Sequence, residues 1–589
     1  MLTILICNAC LVLPCDFYGK EFFLSMRPTL LDSAAESAPN STVSPVLSAF
    51  IQRSKPWLLL TLVAVLMLPV LAIFAAWLEP GGQAAAILVA MLQTVLPGYV
   101  WTTLQLCVMV ALGVAVVGSA TAAAVTLFDF PQRRFFEWAL LLPLAMPAYV
   151  LAFAYTDFLQ YSGPLQTALR SQFGWQGQLL PEVRSLGGAA LVFTAALYPY
   201  VYLLVRTALA DRASHLMESA RLLGAALPRR IAMVALPLAR PALAAGVALA
   251  LMETLADYGV SSYFGIQTFT AGIYKAWLAM DSRIAAAQLA TLLLLFVALL
   301  LRIEHQAQQK MRFASSRGSN FKRTDAAPVR LQGWQAMLAW SICAVPVLLG
   351  FALPVLFMLR PLVNSWNTLP WSRFIGWAAN SIQLSSMGTV LAMGLALLLA
   401  FAVRGAAAAA ASRLAVQLAG LGYAVPGAVV VVGLLLPVGW LQQAFPQTAA
   451  GYWITGTALG VVWAYLVRFT AVALQTVQSG YTRIPANLDD SARMLGITGF
   501  KLFTRVHWPL LQRSVATAAL LVFVDGLKEL PATLVLRPFN SDTLAVVTFQ
   551  LARDERLGEA ALPALALVLA GLVPVLLLSR SLRSGAAQK

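Results

Sequence analysis

The apolar residues of this chain run in blocks of about 20, such as 57–78 and 414–441, and nothing else in the sequence restricts the fold so severely. An α-helix rising about 1.5 Å per residue needs roughly that many apolar residues to cross a hydrocarbon core. Hydrophobic residues make up 60% of the chain and charged ones 11%, against about 45–50% and about 25% in soluble domains. So few charges could not solubilise a globular surface over so much apolar side chain. The sequence therefore reads as an all-α polytopic membrane protein, and soluble and disordered classes are excluded.

Spans are predicted at 57–78, 101–127, 137–159, 188–205, 241–258, 284–301, 334–359, 380–403, 414–441, 453–467, 514–530 and 562–578, about twelve in all. The net charge of +16 would suggest a nucleic-acid partner in a soluble protein. Here roughly three of every four Lys and Arg fall in the two tails and alternate loops, which is the positive-inside pattern. It implies cytoplasmic N- and C-termini and accounts for the basicity without nucleic acid. Of the five cysteines, Cys107 and Cys343 sit in spans, and Cys7-x-x-Cys10 with Cys15 has no further ligand at metal spacing. Residues 1–25 are apolar but carry no basic residue before Lys20 and no small-x-small cleavage site, so they fit a signal peptide poorly. Met26 is the expected true start, within a cytoplasmic segment covering residues 1–56.

The chain repeats itself. Thr102-Thr-Leu-Gln-Leu106 returns as Asn380-Ser-Ile-Gln-Leu384, and Met146-Pro147-Ala148 returns as Val425-Pro426-Gly427. Glu218-Ser-Ala-Arg-Leu-Leu-Gly224 returns as Asp490-Ser-Ala-Arg-Met-Leu-Gly496, at nearly the same separation. Six spans separate equivalents, so both copies face the same way, as parallel halves do. The halves cover 57–301 and 334–580, joined by a basic, flexible cytoplasmic linker at 302–333 and followed by a tail at 581–589.

The two most closely matched segments share one pattern: acid-Ser-Ala-x-x-x-Gly, twelve residues, then Pro, at Glu218, Ser219, Ala220, Gly224 and Pro237 and again at Asp490, Ser491, Ala492, Gly496 and Pro509. Each predicts a short helix, a glycine turn, and a second amphipathic helix stopped by proline. A single copy reads as a solvated hairpin, but two copies at identical spacing do not. This pattern resembles the coupling loop of type I ABC-importer permeases, with Ser219 and Ser491 replacing an Ala and Asp490 replacing Glu. The resemblance covers about 100–302 and 379–578 and implies two parallel six-helix permease halves. It also implies that these loops dock in a cytoplasmic ATPase. Arg229, Arg230, Lys501 and Arg505 flank the loops and are expected to neutralise Asp490 in part. The sequence has no Gly-x4-Gly-Lys-Ser/Thr phosphate cradle. The chain is accordingly not an enzyme, binds no cofactor, and would leave ATP to a separate subunit present in two copies.

Two spans carry acids at i,i+4, Glu253 with Asp257 and Asp525 with Glu529, and the separation between the pairs equals that between the loops. Twelve residues of helix place the first acid of each pair about 18 Å deep in a core about 30 Å thick. Ionisable groups there cost roughly 2.5 kcal/mol or more unless they face a cavity or a partner. Two readings fit: four carboxylates lining a cation pathway, or spans that end early with Lys528 pairing locally to Asp525 or Glu529. The strings Met252-Glu-Thr-Leu-Ala-Asp-Tyr-Gly259 and Leu527-Lys-Glu-Leu-Pro-Ala-Thr-Leu534 resemble the two-half ferric-iron importer permeases. That resemblance implies a bacterial inner-membrane permease fed by a periplasmic iron-binding protein. Since in that family the binding protein captures the substrate, the resemblance implies no metal site in the chain itself, and His215, His305 and His507 all fall in predicted cytoplasmic segments. Thiamine, phosphonate and polyamine importers share the architecture. An ion-coupled secondary transporter is the alternative of another class, for which paired coupling loops have no use.

Overall fold

The computed structural model describes residues 45–78, 83–174, 177–210, 219–316, 329–404 and 410–587. The cysteines at 7, 10 and 15, Met26, His215 and Glu218 lie outside them. Among the described residues eleven helices are long and apolar enough to span a membrane, or twelve if one bent pair counts as a span, so the polytopic all-α reading holds.

The first half comprises α1 (Pro45–Ala75), α2 (Leu96–Leu127), α3 (Arg133–Ala139), α4 (Ala148–Leu159), α5 (Leu186–Ala208), α6 (Leu236–Ala256) and α7 (Arg283–Ser316). The second comprises α8 (Trp334–Val347), α9 (Leu353–Asn364), α10 (Trp371–Ala402), α11 (Ala410–Leu421), α12 (Gly427–Ala444), α13 (Leu459–Tyr481), α14 (Ala486–Met494), α15 (Trp508–Lys528) and α16 (Leu557–Ala587). In the first half α2, α5 and α6 pack on one another, and α10, α13 and α15 repeat that three-helix unit in the second.

The first helix of each half crosses to the other half. Helix α1 lies on α11 and α12, while α8 lies on α2 and α9 lies on α4. Trp463 Nε1 donates to the Leu66 carbonyl at 3.2 Å, and Tyr155 Oη donates to the Leu349 carbonyl at 2.6 Å. Gly433 permits the α1–α12 approach, since a Cβ there would overlap the Pro69 carbonyl. Small residues at such crossings let apolar helices gain packing that lipid cannot supply.

Several expectations need correction. The segments 137–159 and 414–441 are not continuous spans. The chain breaks at Pro147 and Pro426, each extended (ψ 141° and 144°) just before α4 and α12. Proline disfavours helical geometry in the residue before it, and Met146 and Val425 are accordingly extended. The first-half pieces meet at 90°. The span expected at 453–467 instead occupies Leu459–Tyr481. The linker expected to be flexible from 302 is helical through Ser316, and Val329–Arg330 pairs in parallel with Phe128–Asp129.

Proline also fails to stop the second loop helix. Pro237 and Pro509 stand in the first turn of α6 and α15, which continue from Ile231–Ala235 and Phe503–His507 through one π turn each. In each π turn the residue before proline bonds back five positions, Leu236 to Ile231 and Trp508 to Phe503. The wider turn absorbs the bond that proline cannot make.

Candidate functional site

The two loops close with the same geometry. Gly224 has φ +77° and Gly496 φ +75°, left-handed values that other residues rarely adopt. Gly224 N–H donates to the Arg221 carbonyl at 2.9 Å and Ala225 N–H to Ala220 at 3.0 Å. The second copy matches these bonds, Gly496 to Arg493 and Ile497 to Ala492, both at 2.9 Å. This is the helix C-terminal motif in which a left-handed residue satisfies the last carbonyls. The expected glycine turn is present in both loops.

Sequence reasoning missed what surrounds that turn. Leu222 and Leu223 are 82% and 87% exposed, and their counterparts Met494 and Leu495 are 89% and 78% exposed. Paired apolar side chains left in the open beside a fixed turn form a small contact surface repeated twice. The repeated Arg-Leu-Leu-Gly and Arg-Met-Leu-Gly strings carried the signal. Ser491 and Ala492 stand on α14, with Ala492 buried and Ser491 Oγ bonded to the Asn487 carbonyl at 2.9 Å. Asp490 is exposed and pairs with Arg493 at 3.0 Å, not with Lys501 or Arg505 as expected, because i,i+3 places Arg493 on the same helix face.

The neighbouring acid, Asp489, is the anchored one. Arg404, just past the end of α10, holds it at 2.8 and 3.3 Å and also donates to the carbonyls of Tyr481 and Ile484 at 2.8 Å. His507 Nε2 lies 3.0 Å from the same carboxylate, fully buried. Burial raises the Asp489 pKa, but hydrogen bonds from Arg404 and His507 outweigh it and hold the carboxyl below its usual range. Asp489 precedes the motif and Arg404 lies on a different span far back in the chain, so spacing alone gave no sign of the pair.

The four intramembrane acids come together. Glu253, Asp257, Asp525 and Glu529 all line one cavity of about 190 Å³ between the halves, beside the break at Pro147. Helix α6 ends at Ala256 and α15 at Lys528, so the second acid of each pair is the first non-helical residue. Each then caps the short helix that follows: Asp257 Oδ1 accepts from Val260 N at 2.8 Å, and Glu529 accepts from Ala532 N and Thr533 N at 3.0 Å. Spans that end at the second acid and acids that line a cavity are both features of the structure.

Among the described residues Lys528 makes no ion pair with Asp525 or Glu529, the pairing that the second of the two readings required. Glu529 pairs with Arg468 at 2.9 Å, and Lys528 Nζ donates to the Leu144 carbonyl across the half boundary at 3.0 Å. The lysine extends away from its own helix turn toward the broken first-half span. The first acids differ from the second ones. Glu253 accepts from Tyr423 Oη of the opposite half at 2.8 Å, whereas Asp525 makes no salt bridge or hydrogen bond among the described residues. Nor do the described residues hold a cluster of three or more His, Cys, Asp or Glu side chains spaced for one metal ion.

Both halves thus break a span at a proline and carry a glycine-turned loop at an equivalent place. Residues 114–312 match the family of binding-protein-dependent transport system inner membrane components. The chain, whose two halves lie in one polypeptide, is similar to type I ABC-importer permeases. It is 24% identical over 81% of its length to the Fe(3+)-transport system permease protein FbpB 2 of Haemophilus influenzae, spanning 88% of that protein. A narrower similarity, 28% over 32% of this chain and 67% of the relative, links it to a protein named as a 2-aminoethylphosphonate transport permease, PhnU of Salmonella choleraesuis. Over 36% of the chain it is 28% identical to a protein of Chlorokybus atmophyticus named as a sulfate transport permease.

Proposed function

We propose that this permease carries ferric iron, delivered by a periplasmic binding protein, through the acid-lined cavity between its halves. The observation that carries the reading is the charge of that cavity: four carboxylates against Arg468 and Lys528. Arg468 is spent on Glu529. The remaining lining attracts cations and repels oxyanions such as phosphonate or sulfate. The wide similarity to an Fe(3+)-transport permease supports the same cargo.

Two ATPase subunits drive the cycle, one on each loop. The exposed pairs Leu222–Leu223 and Met494–Leu495 enter the ATPase surface, with Asp490 at the rim of the second. Closure of the ATPase dimer then pulls α6 and α15, which begin at the loops and end at the cavity acids. The N- and C-termini lie on the ATPase side, in the cytoplasm. Lys528 gives an oxyanion cargo one point of support, since its ammonium faces the cavity.

Proteoliposomes holding the permease, its ATPase and its binding protein decide between cargoes. ATP-dependent uptake of ferric iron, with thiamine and 2-aminoethylphosphonate left outside, is the expected result. Uptake driven by a proton gradient without nucleotide overturns the importer mechanism, and uptake of phosphonate in preference to iron overturns the cargo. Gly224→Pro and Glu218→Lys should each abolish uptake while leaving membrane insertion intact.

A further inference from the structure

The cavity acids are four, but their counter-ions are not alike. Arg468 is locked: its guanidinium pairs with Glu529, whose oxygens also take the Ala532 and Thr533 amides and the Thr533 hydroxyl. Lys528 makes a single hydrogen bond among the described residues, to the Leu144 carbonyl. Its ammonium lies against α16 at Gly571, where a Cβ would stand 2.7 Å from Nζ, so a glycine makes its room. Asp525 and Glu253 line the same cavity as Lys528.

We infer that Lys528 is a tethered competitor for the cavity acids, a positive charge held by the Leu144 carbonyl in the cavity that Asp525 and Glu253 line and yielding to a multivalent cation that enters. A flexible four-carbon stem carrying a compact charge suits that role, and a planar guanidinium in a fixed fork does not. A second observation points to a ligand in the same cavity. Tyr149 lines it, and its buried hydroxyl has no hydrogen-bond partner among the described residues. The lysine then acts as a charge threshold. A monovalent ion gains too little from the acids to displace a cation already tethered beside them, and a trivalent ion gains more. The inference rests on reading the cavity as a cation path, and its test is a binding measurement separate from transport.

The full-length permease in detergent is titrated with trivalent terbium, read by luminescence that the cavity tyrosines sensitise. Lys528→Met should bind terbium roughly tenfold more tightly than the native chain. Lys528→Gln, which keeps a donor for the Leu144 carbonyl, should show the same gain, and Lys528→Arg should show none. Adding Glu253→Gln and Asp525→Asn to Lys528→Met should abolish the gain. Equal affinity in the native chain and both neutral variants overturns the inference, as does a gain that survives loss of the two acids. If the gain depends on the acids yet no ferric iron is carried in proteoliposomes, the competitor role stands and the ferric reading falls. If iron is carried and the variants bind terbium as the native chain does, the reverse holds.

Discussion

The second half holds its inner acid with an arginine, and the first half holds the equivalent acid with backbone alone. Glu529 has Arg468; its first-half equivalent Asp257 has Ala196 at the arginine's position, and Ala256 stands where Lys528 does. The same division recurs at the loops. Asp489, His507 and Tyr481 correspond to Met217, Ala235 and Leu209, so the polar anchor of the second loop is replaced by apolar residues in the first. Even the broken spans follow suit. Gly427 leaves room for the Glu529–Arg468 pair, and its counterpart Ala148 needs none. One backbone plan therefore serves two electrostatic roles. At the cavity and the loop the second half is braced by buried ion pairs, whereas the first half, whose Arg206–Glu137 pair lies elsewhere, supplies two carboxylates to the cavity and no cation.

The largest expected effect breaks the brace. Arg468→Met leaves Glu529 buried without its partner and should cost about 3–5 kcal/mol of stability, read as a fall in melting temperature in detergent. Asp257→Asn, the first-half equivalent, removes no ion pair and should leave the melt nearly unchanged while reducing cation uptake. Equal destabilisation by the two would refute the division.

Next is the loop anchor. Arg404→Met should destabilise the second loop and lower ATPase capture by the detergent-solubilised permease, because Asp489 and three backbone carbonyls lose their donor. The anchor should also resist acid. A carboxyl held below its unfolded pKa contributes stability that is whole above that value and is lost only as pH falls through the folded one. From pH 7 to about 5, Asp489 should therefore remain ionised and the second loop unchanged, because the unfolded carboxyl titrates near about 3.9. A loop whose protection from hydrogen exchange declines across that range would contradict the assignment.

What the sequence disclosed followed from local periodicity and repetition. Apolar runs of membrane length gave the spans, and matched strings gave the parallel halves and the glycine turns at Gly224 and Gly496. The intramembrane acids were legible because i,i+4 spacing and a shared offset survive without tertiary information. Features that need distant partners were not. Arg404 reaches Asp489 from another span and Lys528 reaches Leu144 from the other half, and no pattern of neighbours announces either. The breaks at Pro147 and Pro426 were hidden for another reason. An apolar run long enough to span looks continuous, and whether a proline kinks it or breaks it depends on what packs into the gap. Pro237 and Pro509 misled in the opposite sense, since a π turn let the helix pass.

The smaller effects test where the halves should agree. Gly224 and Gly496 share one left-handed conformation with open space around the missing side chain, so alanine meets strain and no clash. Each substitution should cost about 1–2 kcal/mol locally and lower ATP-dependent uptake by a similar factor in either half. A marked asymmetry would mean that the second loop's anchor compensates for its turn.

The smallest expected effect is on stability at Asp490. Its pair with Arg493 is exposed, the aspartate 70% and the arginine 51% accessible. Water screens such a pair, which contributes about 0.2–1 kcal/mol at most. Asp490→Asn should leave the melting temperature within error of the native chain, whereas Asp489→Asn one residue away should lower it measurably. The contrast separates an acid placed for a partner from an acid placed for the fold. If Asp490→Asn weakens ATPase capture at unchanged stability, the exposed acid belongs to the docking rim. If capture is also unchanged, the apolar pair Met494–Leu495 carries the contact, and Met494→Ser should then weaken it where Asp490→Asn did not.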